Sequence, residues 1–150
     1  MQGTVMELLT ATAAGETMTS HEAVLLVPGV GIAGDRYATK RGHWSDPRWP
    51  DQELTLVEEE LLAELQVSAR QFRRNIVTRG ASLDELIGHE FVLGEARLLA
   101  VRVCDPCAYI EGFTRRGLLK ELGRRGGLRA HIIEGGRVAL GDRLERVGGD

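Results

Sequence analysis

At 150 residues, with 43% hydrophobic and 27% charged side chains, the chain has the size and balance of one globular domain, residues 1–150. A formal net charge of −3 argues against a nucleic-acid binder, which carries a strongly basic balance. No apolar run approaches the ~18 residues of a membrane span. The N-terminus lacks a secretory pattern, and two cysteines do not make a disulfide framework, so the expected setting is the reducing cytoplasm, with neither nucleic acid nor membrane as partner.

Short apolar runs separated by glycines predict strands at 4–9, 24–27, 75–78, 90–93, 97–103 and 143–147. Between the first of these, Val30-Gly31-Ile32-Ala33-Gly34-Asp35-Arg36 allows close backbone approach to a ligand and ends in a carboxylate and a guanidinium. Residues 41–51 hold two tryptophans, a histidine and two prolines, an irregular loop in which Trp44 and Trp49 either line a pocket mouth or fasten the loop to the body. Thr55-Leu56-Val57-Glu58 matches a capping box, and Val57, Leu61, Leu62 and Leu65 at helical spacing predict a helix over 56–66. Ser82-Leu83-Asp84-Glu85 is a second capping box, opening a short turn that Gly88 stops. Gly94-Glu95 joins two apolar runs as a tight hairpin, 114–122 reads as a helix ended by Gly123, and Gly141-Asp142 joins a second hairpin. Many short strands with few helices predict a mainly β domain with added helices (α+β), a barrel or sandwich. Regular strand–helix alternation, which a doubly wound sheet needs, is missing.

The only two cysteines fall together in Val103-Cys104-Asp105-Pro106-Cys107, just after the apolar run that ends the predicted strand 97–103. Thiolate is a soft, nucleophilic ligand, so a strand delivering two into a loop points to a soft metal or to sulfur chemistry. A buried pair of small hydrophobes is the plain alternative. Structural zinc normally takes four ligands, and here one pair stands with four scattered histidines. A thioredoxin-like dithiol sits at a helix N-terminus in an alternating α/β chain, which this is not. The third option is one cysteine ligating a cofactor-borne metal, with arginines and backbone amides on the cofactor's phosphate. Of 19 basic residues only Lys40 and Lys120 are lysines, and Arg73-Arg74-Asn75 and Arg124-Arg125-Gly126-Gly127-Leu128-Arg129 are compact forks suited to anions. A solvated basic face accounts for either cluster taken alone.

Gly34-Asp35-Arg36, Arg74-Asn75-Ile76-Val77 with Gly80, Leu86-Ile87-Gly88, Cys104-Asp105-Pro106-Cys107, Gly126-Gly127-Leu128 and Gly141-Asp142 occur in an order that resembles the MOSC domain, the molybdenum-cofactor sulfurase C-terminal domain. The resemblance covers nearly the whole chain, as a stand-alone single-domain member, and implies a barrel-like fold and a role for molybdenum cofactor (molybdopterin). It makes Cys107 the catalytic group and molybdenum ligand, places Arg36, Arg74, Asn75 and Arg129 on the cofactor, and leaves Cys104, Asp35, Trp44 and Trp49 as auxiliary candidates. Longer relatives add an electron-transfer domain or a pyridoxal-phosphate desulfurase domain; this chain has neither. The resemblance therefore implies a separate electron-transfer protein (flavin or iron–sulfur) or a sulfur donor as partner. Three functions follow as expectations: an oxidoreductase acting on N-hydroxylated small molecules, a sulfur carrier holding a Cys107 persulfide, and a non-catalytic binding module.

Overall fold

The computed structural model describes residues 1–39, 53–104, 113–118 and 126–148. In chain order the first half contains β1 (Gln2–Thr10), β2 (Thr19–His21), β3 (Ala23–Val27), β4 (Gly31–Ile32), α1 (Arg36–Thr39), β5 (Leu54–Glu58), α2 (Glu59–Leu65) and α3 (Ala69–Phe72). The second half contains β6 (Ile76–Arg79), a 3₁₀ turn (Leu83–Leu86), β7 (Glu90–Leu93), β8 (Ala96–Val103), β9 (Leu128–Glu134), β10 (Gly136–Ala139) and β11 (Arg143–Arg146). Strands run in the order β11-β7-β8-β9-β5-β6-β1, and β1 pairs back onto β11, so seven strands close a barrel. β2 extends the sheet beyond β1, and β10, β3 and β4 form a separate three-stranded sheet. The α+β barrel expected from the many short strands is the fold observed. No helix among the described residues is long and apolar enough to cross a membrane.

Two apolar cores result. Leu54, Leu56, Leu98, Ala100, Leu128, Ala130 and Ile132 fill the barrel with residues from the other strands, as expected of a small barrel whose interior only accommodates side chains. A bulge between Val5 and Glu7 re-phases β1, so that Val5 and Leu8 both reach this interior. Outside the barrel, Leu9, Met18, Val57, Leu62, Leu65, Phe72, Val77 and Leu118 form the second core. Its cover is a consequence of strand direction: β5 and β6 pair in parallel, and parallel neighbours need a crossover of a dozen or more residues. α2 and α3 are that crossover, laid on the outer flank. Ser68 caps α3 with a reciprocal capping box to Gln71.

The helix predicted over 56–66 is shorter than expected. Residues 54–58 are strand β5, and helix begins only at Glu59. The capping pattern at Thr55 is not used, because its hydroxyl bonds Asn75 across the sheet instead. The Gly94-Glu95 hairpin is present, with Leu93 opposite Ala96. The second expected hairpin is not: β10 pairs with β3, while β11 pairs with β1 and β7. Gly141 and Asp142 turn the chain between sheets, exchanging backbone bonds with Val5 at 2.8 Å each way. The 3₁₀ turn before Gly88 occupies the second capping pattern, without a side-chain cap from Ser82. The helix predicted over 114–122 lies partly outside the described residues, as does the 41–51 loop with Trp44 and Trp49.

Glu53 clamps the small sheet to the barrel. Its carboxylate, 4% exposed, accepts N–H groups from Gly29 at 3.1 Å and Ile132 at 2.6 Å. Gly31, at φ +124°, passes so close that a Cβ there would lie 2.5 Å from the Glu53 carbonyl oxygen. The close approach foreseen for this glycine segment is thus to the protein's own backbone. Glu53→Ala strands both N–H donors, and bonds to a charged acceptor are worth about 1.5–3 kcal/mol; urea unfolding should register a loss of about 3 kcal/mol.

Glu58, at the end of β5, lines a cleft of about 280 Å³ between α2 and the 3₁₀ turn, with Glu60, Glu64 and Asp84 nearby. Burial, then repulsion from Glu60 and Asp84, raises its pKa above the ordinary 4.5, against a lowering bond from the Leu83 N–H. The folded state therefore holds this proton more tightly than the unfolded chain, and stability falls as pH rises upward from about 4.5. Glu58→Gln keeps an acceptor for Leu83 and removes the charge. Its melting temperature should exceed the wild type's at pH 7 and converge with it at pH 4.

Candidate functional site

Because side chains alternate across a strand, burying Leu54, Leu56, Leu128 and Ala130 inside the barrel turns Thr55 and Arg129 to its outer face. These two stand opposite each other in the β5–β9 register, and Arg102 of β8 faces Arg129 from the other side. A bulge between Ala100 and Arg102 sets that second pairing. The chain then returns to β6 through Phe72, Arg73, Arg74 and Asn75, on the same outer flank.

Asn75 fixes this return. Its Oδ1 accepts the Thr55 N–H at 3.0 Å and the Thr55 hydroxyl at 3.2 Å, and its Nδ2 donates to the Leu9 carbonyl at 3.1 Å. Its backbone N–H donates to the Thr55 hydroxyl oxygen, and its carbonyl accepts the Leu9 N–H at 2.7 Å. Three strands are pinned by one fully buried side chain.

Arg74 is held from two sides. Nε donates to the Gly126 carbonyl at 2.7 Å, and the guanidinium lies 5.1 Å from the centre of the Phe72 ring. Gly127 makes the approach possible: at φ +101°, a Cβ there would sit 2.4 Å from the Leu56 carbonyl oxygen. Arg74 is 8% exposed, and its two terminal amino groups make no hydrogen bond to another described residue. Gly127 also carries the Cys104 backbone, whose N–H donates to the Gly127 carbonyl at 2.8 Å. Cys104 itself is buried, its sulfur in no disulfide.

Arg36 is deeper. It pairs with Asp35 at 3.0 Å, donates to the Arg73 carbonyl at 3.0 Å and contacts the Met18 sulfur at 3.7 Å. Asp35 in turn accepts the Ala11 N–H at 3.0 Å. Both belong to a buried brace that holds the Arg73 backbone, which takes the left-handed conformation (φ 60°) ending α3. The Arg73 guanidinium donates to the Glu16 carbonyl and lies 4.5 Å over Phe113.

The fold thus gathers Arg36, Arg74, Asn75, Arg129, Asp35 and Cys104 on one flank, with Cys104 immediately after β8. Cys107, Trp44 and Trp49 lie outside the described residues. Arg73, read in the sequence as part of an anion fork, joins the flank, as do Arg102 and Thr55, which were not singled out. Arg102 carried a visible signal, a charge near the end of an apolar strand two residues from a cysteine; Thr55 was hidden inside a helix-like pattern. Among the described residues no three His, Cys, Asp or Glu side chains are grouped as a metal site. The chemistry available from the described groups is therefore anion recognition: planar guanidinium forks, one of them with uncommitted donors, on a rigid backbone.

A model of the MOSC domain matches residues 49–145. No curated protein matches the chain in sequence. Among solved structures, the YUAD protein from Bacillus subtilis superposes with a TM-score of 0.80 at 18% identity, over 97% of this chain and 96% of that one. YiiM from Geobacillus stearothermophilus gives 0.74 at 14% identity over 97% and 75%, and YiiM from Escherichia coli gives 0.67 at 21% over 100% and 71%. At such identities the structural likeness is one of fold. With the family model spanning well over half of the sequence, this chain belongs to the MOSC domain family.

Proposed function

We propose that the arginine flank holds the phosphate of molybdenum cofactor, that Cys107 provides the thiolate ligand to molybdenum, and that the protein reduces N-hydroxylated small molecules. The observation that carries this reading is Arg74, a nearly buried guanidinium locked by Gly126 and Phe72 whose two terminal amino groups make no hydrogen bond to another described residue. The donor set fits the group: a phosphate takes a bidentate fork from Arg74, with Arg129 of β9 on the same flank, and the metal arrives with its own organic ligand rather than a protein cage. When bound, the cofactor supplies the two-electron redox capacity that cleavage of an N–O bond requires.

The chain's own residues then have distinct tasks. Arg74 and Arg129 bind; Asn75 and Thr55 keep the strand return beneath them rigid; Asp35 and Arg36 brace the Arg73 backbone. The small molecule is consumed as R–NHOH plus two electrons and two protons, giving R–NH₂ and water. Two cysteines fall short of the four thiolates that hold most iron–sulfur clusters, and on this reading the electrons come from a separate flavin or iron–sulfur protein.

Protein purified from a host that makes the cofactor should contain molybdenum. Arg74→Lys keeps the charge and loses the fork, so cofactor affinity should fall about tenfold, the equivalent of roughly 1.5 kcal/mol for bonds to a charged group. Cys107→Ser should lose molybdenum while Cys104→Ser keeps it, measured by elemental analysis. Loaded protein should be inert with NADH or NADPH alone and turn over phenylhydroxylamine once dithionite is added. Sulfide released by mild reduction from molybdenum-free protein, with no turnover under any reductant, would instead establish the sulfur carrier.

A further inference from the structure

Glu53 and His131 form a polar pair that the arginine flank leaves unused. Glu53 directly precedes β5, next to the Leu54–Ala130 pair, and His131 directly follows Ala130 on β9. Nδ1 of His131 lies 2.9 Å from Oε1 of Glu53, a close contact bent away from linear hydrogen-bond geometry. The Glu53 carboxylate is nearly buried and tied to the Gly29 and Ile132 N–H groups, so it cannot swing away from the ring. The His131 side chain is 40% exposed, and its Nε2 makes no hydrogen bond among the described residues. A carboxylate held 2.9 Å from Nδ1 favours a proton on that nitrogen even though no hydrogen bond is made there, and leaves Nε2 to act.

Position gives the pair its meaning. Arg129 and His131 are two residues apart on one strand, on the same face, about 7 Å from one another. Among the described residues, the charged neighbours of the ring are Glu53, just before β5, and Arg129 along β9; its partner across β8, Leu99, is neutral.

We propose that His131 is the proton donor of N–O cleavage and that Glu53 is its positioning residue. The inference rests on the reductase reading above. The N–O bond breaks and its oxygen leaves as water, with two electrons from the reduced flavin or iron–sulfur partner and two protons. The imidazolium gives one of those protons from Nε2 to the departing oxygen. The neutral ring keeps its remaining proton on Nδ1, against Glu53, and solvent at the exposed edge restores the other. Proton donation of this kind contributes about 10²–10⁴-fold to a rate.

Two measurements test it, one of them independent of turnover. In cofactor-free protein, long-range ¹H–¹⁵N spectra of the neutral His131 ring should show the proton on Nδ1; a ring protonated on Nε2 overturns the pairing. In molybdenum-loaded protein with dithionite and phenylhydroxylamine, His131→Gln should lower kcat about 100-fold. Molybdenum content and KM should stay at wild-type values. A variant with wild-type kcat refutes the role of His131 and leaves the reductase reading standing. A loaded wild type inert toward every reductant overturns both.

Discussion

The Asn75 side chain is the constraint on which the rest depends. By bonding Thr55 and Leu9 together it pins β5, β6 and β1 at one point, where a parallel strand pair meets its crossover. An amide buried this completely is costly unless its bonds are made, and most of its capacity is used here. The candidate site is built around that point: Arg74 precedes it, Thr55 reaches it from β5, and Arg129 stands opposite Thr55. Loss of Asn75 would release strand order and site together.

A small barrel forces the site outward. Leucine, alanine and isoleucine side chains fill the interior, so no ligand cavity exists among the described barrel-facing residues. Function has to be built on the outer flank, where the α2–α3 crossover makes a second apolar core. The arginines sit at the border between that core and solvent. Their environment immobilises them: Phe72 under Arg74, Phe113 under Arg73, Asp35 beside Arg36. An ion pair as buried as Asp35–Arg36 is weak evidence for stability, since desolvation offsets its attraction. Its evident effect is geometric, fixing the carbonyl of Arg73 and thus the backbone leading to Arg74.

Much of the barrel was legible in the sequence because local rules and tertiary demands agree there. The run around Gly94-Glu95 alternates, turns on a glycine with φ 57° and pairs as expected. Where they disagree, pattern misleads. Leu54, Leu56 and Val57 are all buried, as in a strand covered on both faces, and such a run has no period of two to betray it. Thr55-x-x-Glu58 then looks like a cap, when the hydroxyl is committed to a residue 20 positions away. The Gly141-Asp142 turn fails in the opposite way: the turn is real, but its flanks belong to different sheets. Arginine and glycine runs in the sequence did name residues that the fold brings to one flank, Arg74 against Gly126 among them. The Glu53–His131 pair was invisible because only the β5–β9 register creates it.

The glycines decide how much of this arrangement can change. Gly127 has a Leu56 carbonyl where a side chain would go, and Gly31 has a Glu53 carbonyl. Both contacts draw backbone onto β5 or the residue before it, one bringing Gly126 to Arg74 and the other bringing Gly29 to the Glu53 carboxylate. The arginine flank and the Glu53–His131 pair are therefore supported on the same strand by the same device, a glycine that permits backbone to touch backbone. Solved relatives superpose on this chain while sharing 14–21% of their residues. A fold that tolerates such divergence leaves side chains on its outer face free to vary, provided the backbone contacts beneath them persist. On the proposed reading, selectivity within such a barrel rests on the groups along β9 and at the start of β5, here Arg129, His131 and Thr55, with Glu53 just before it.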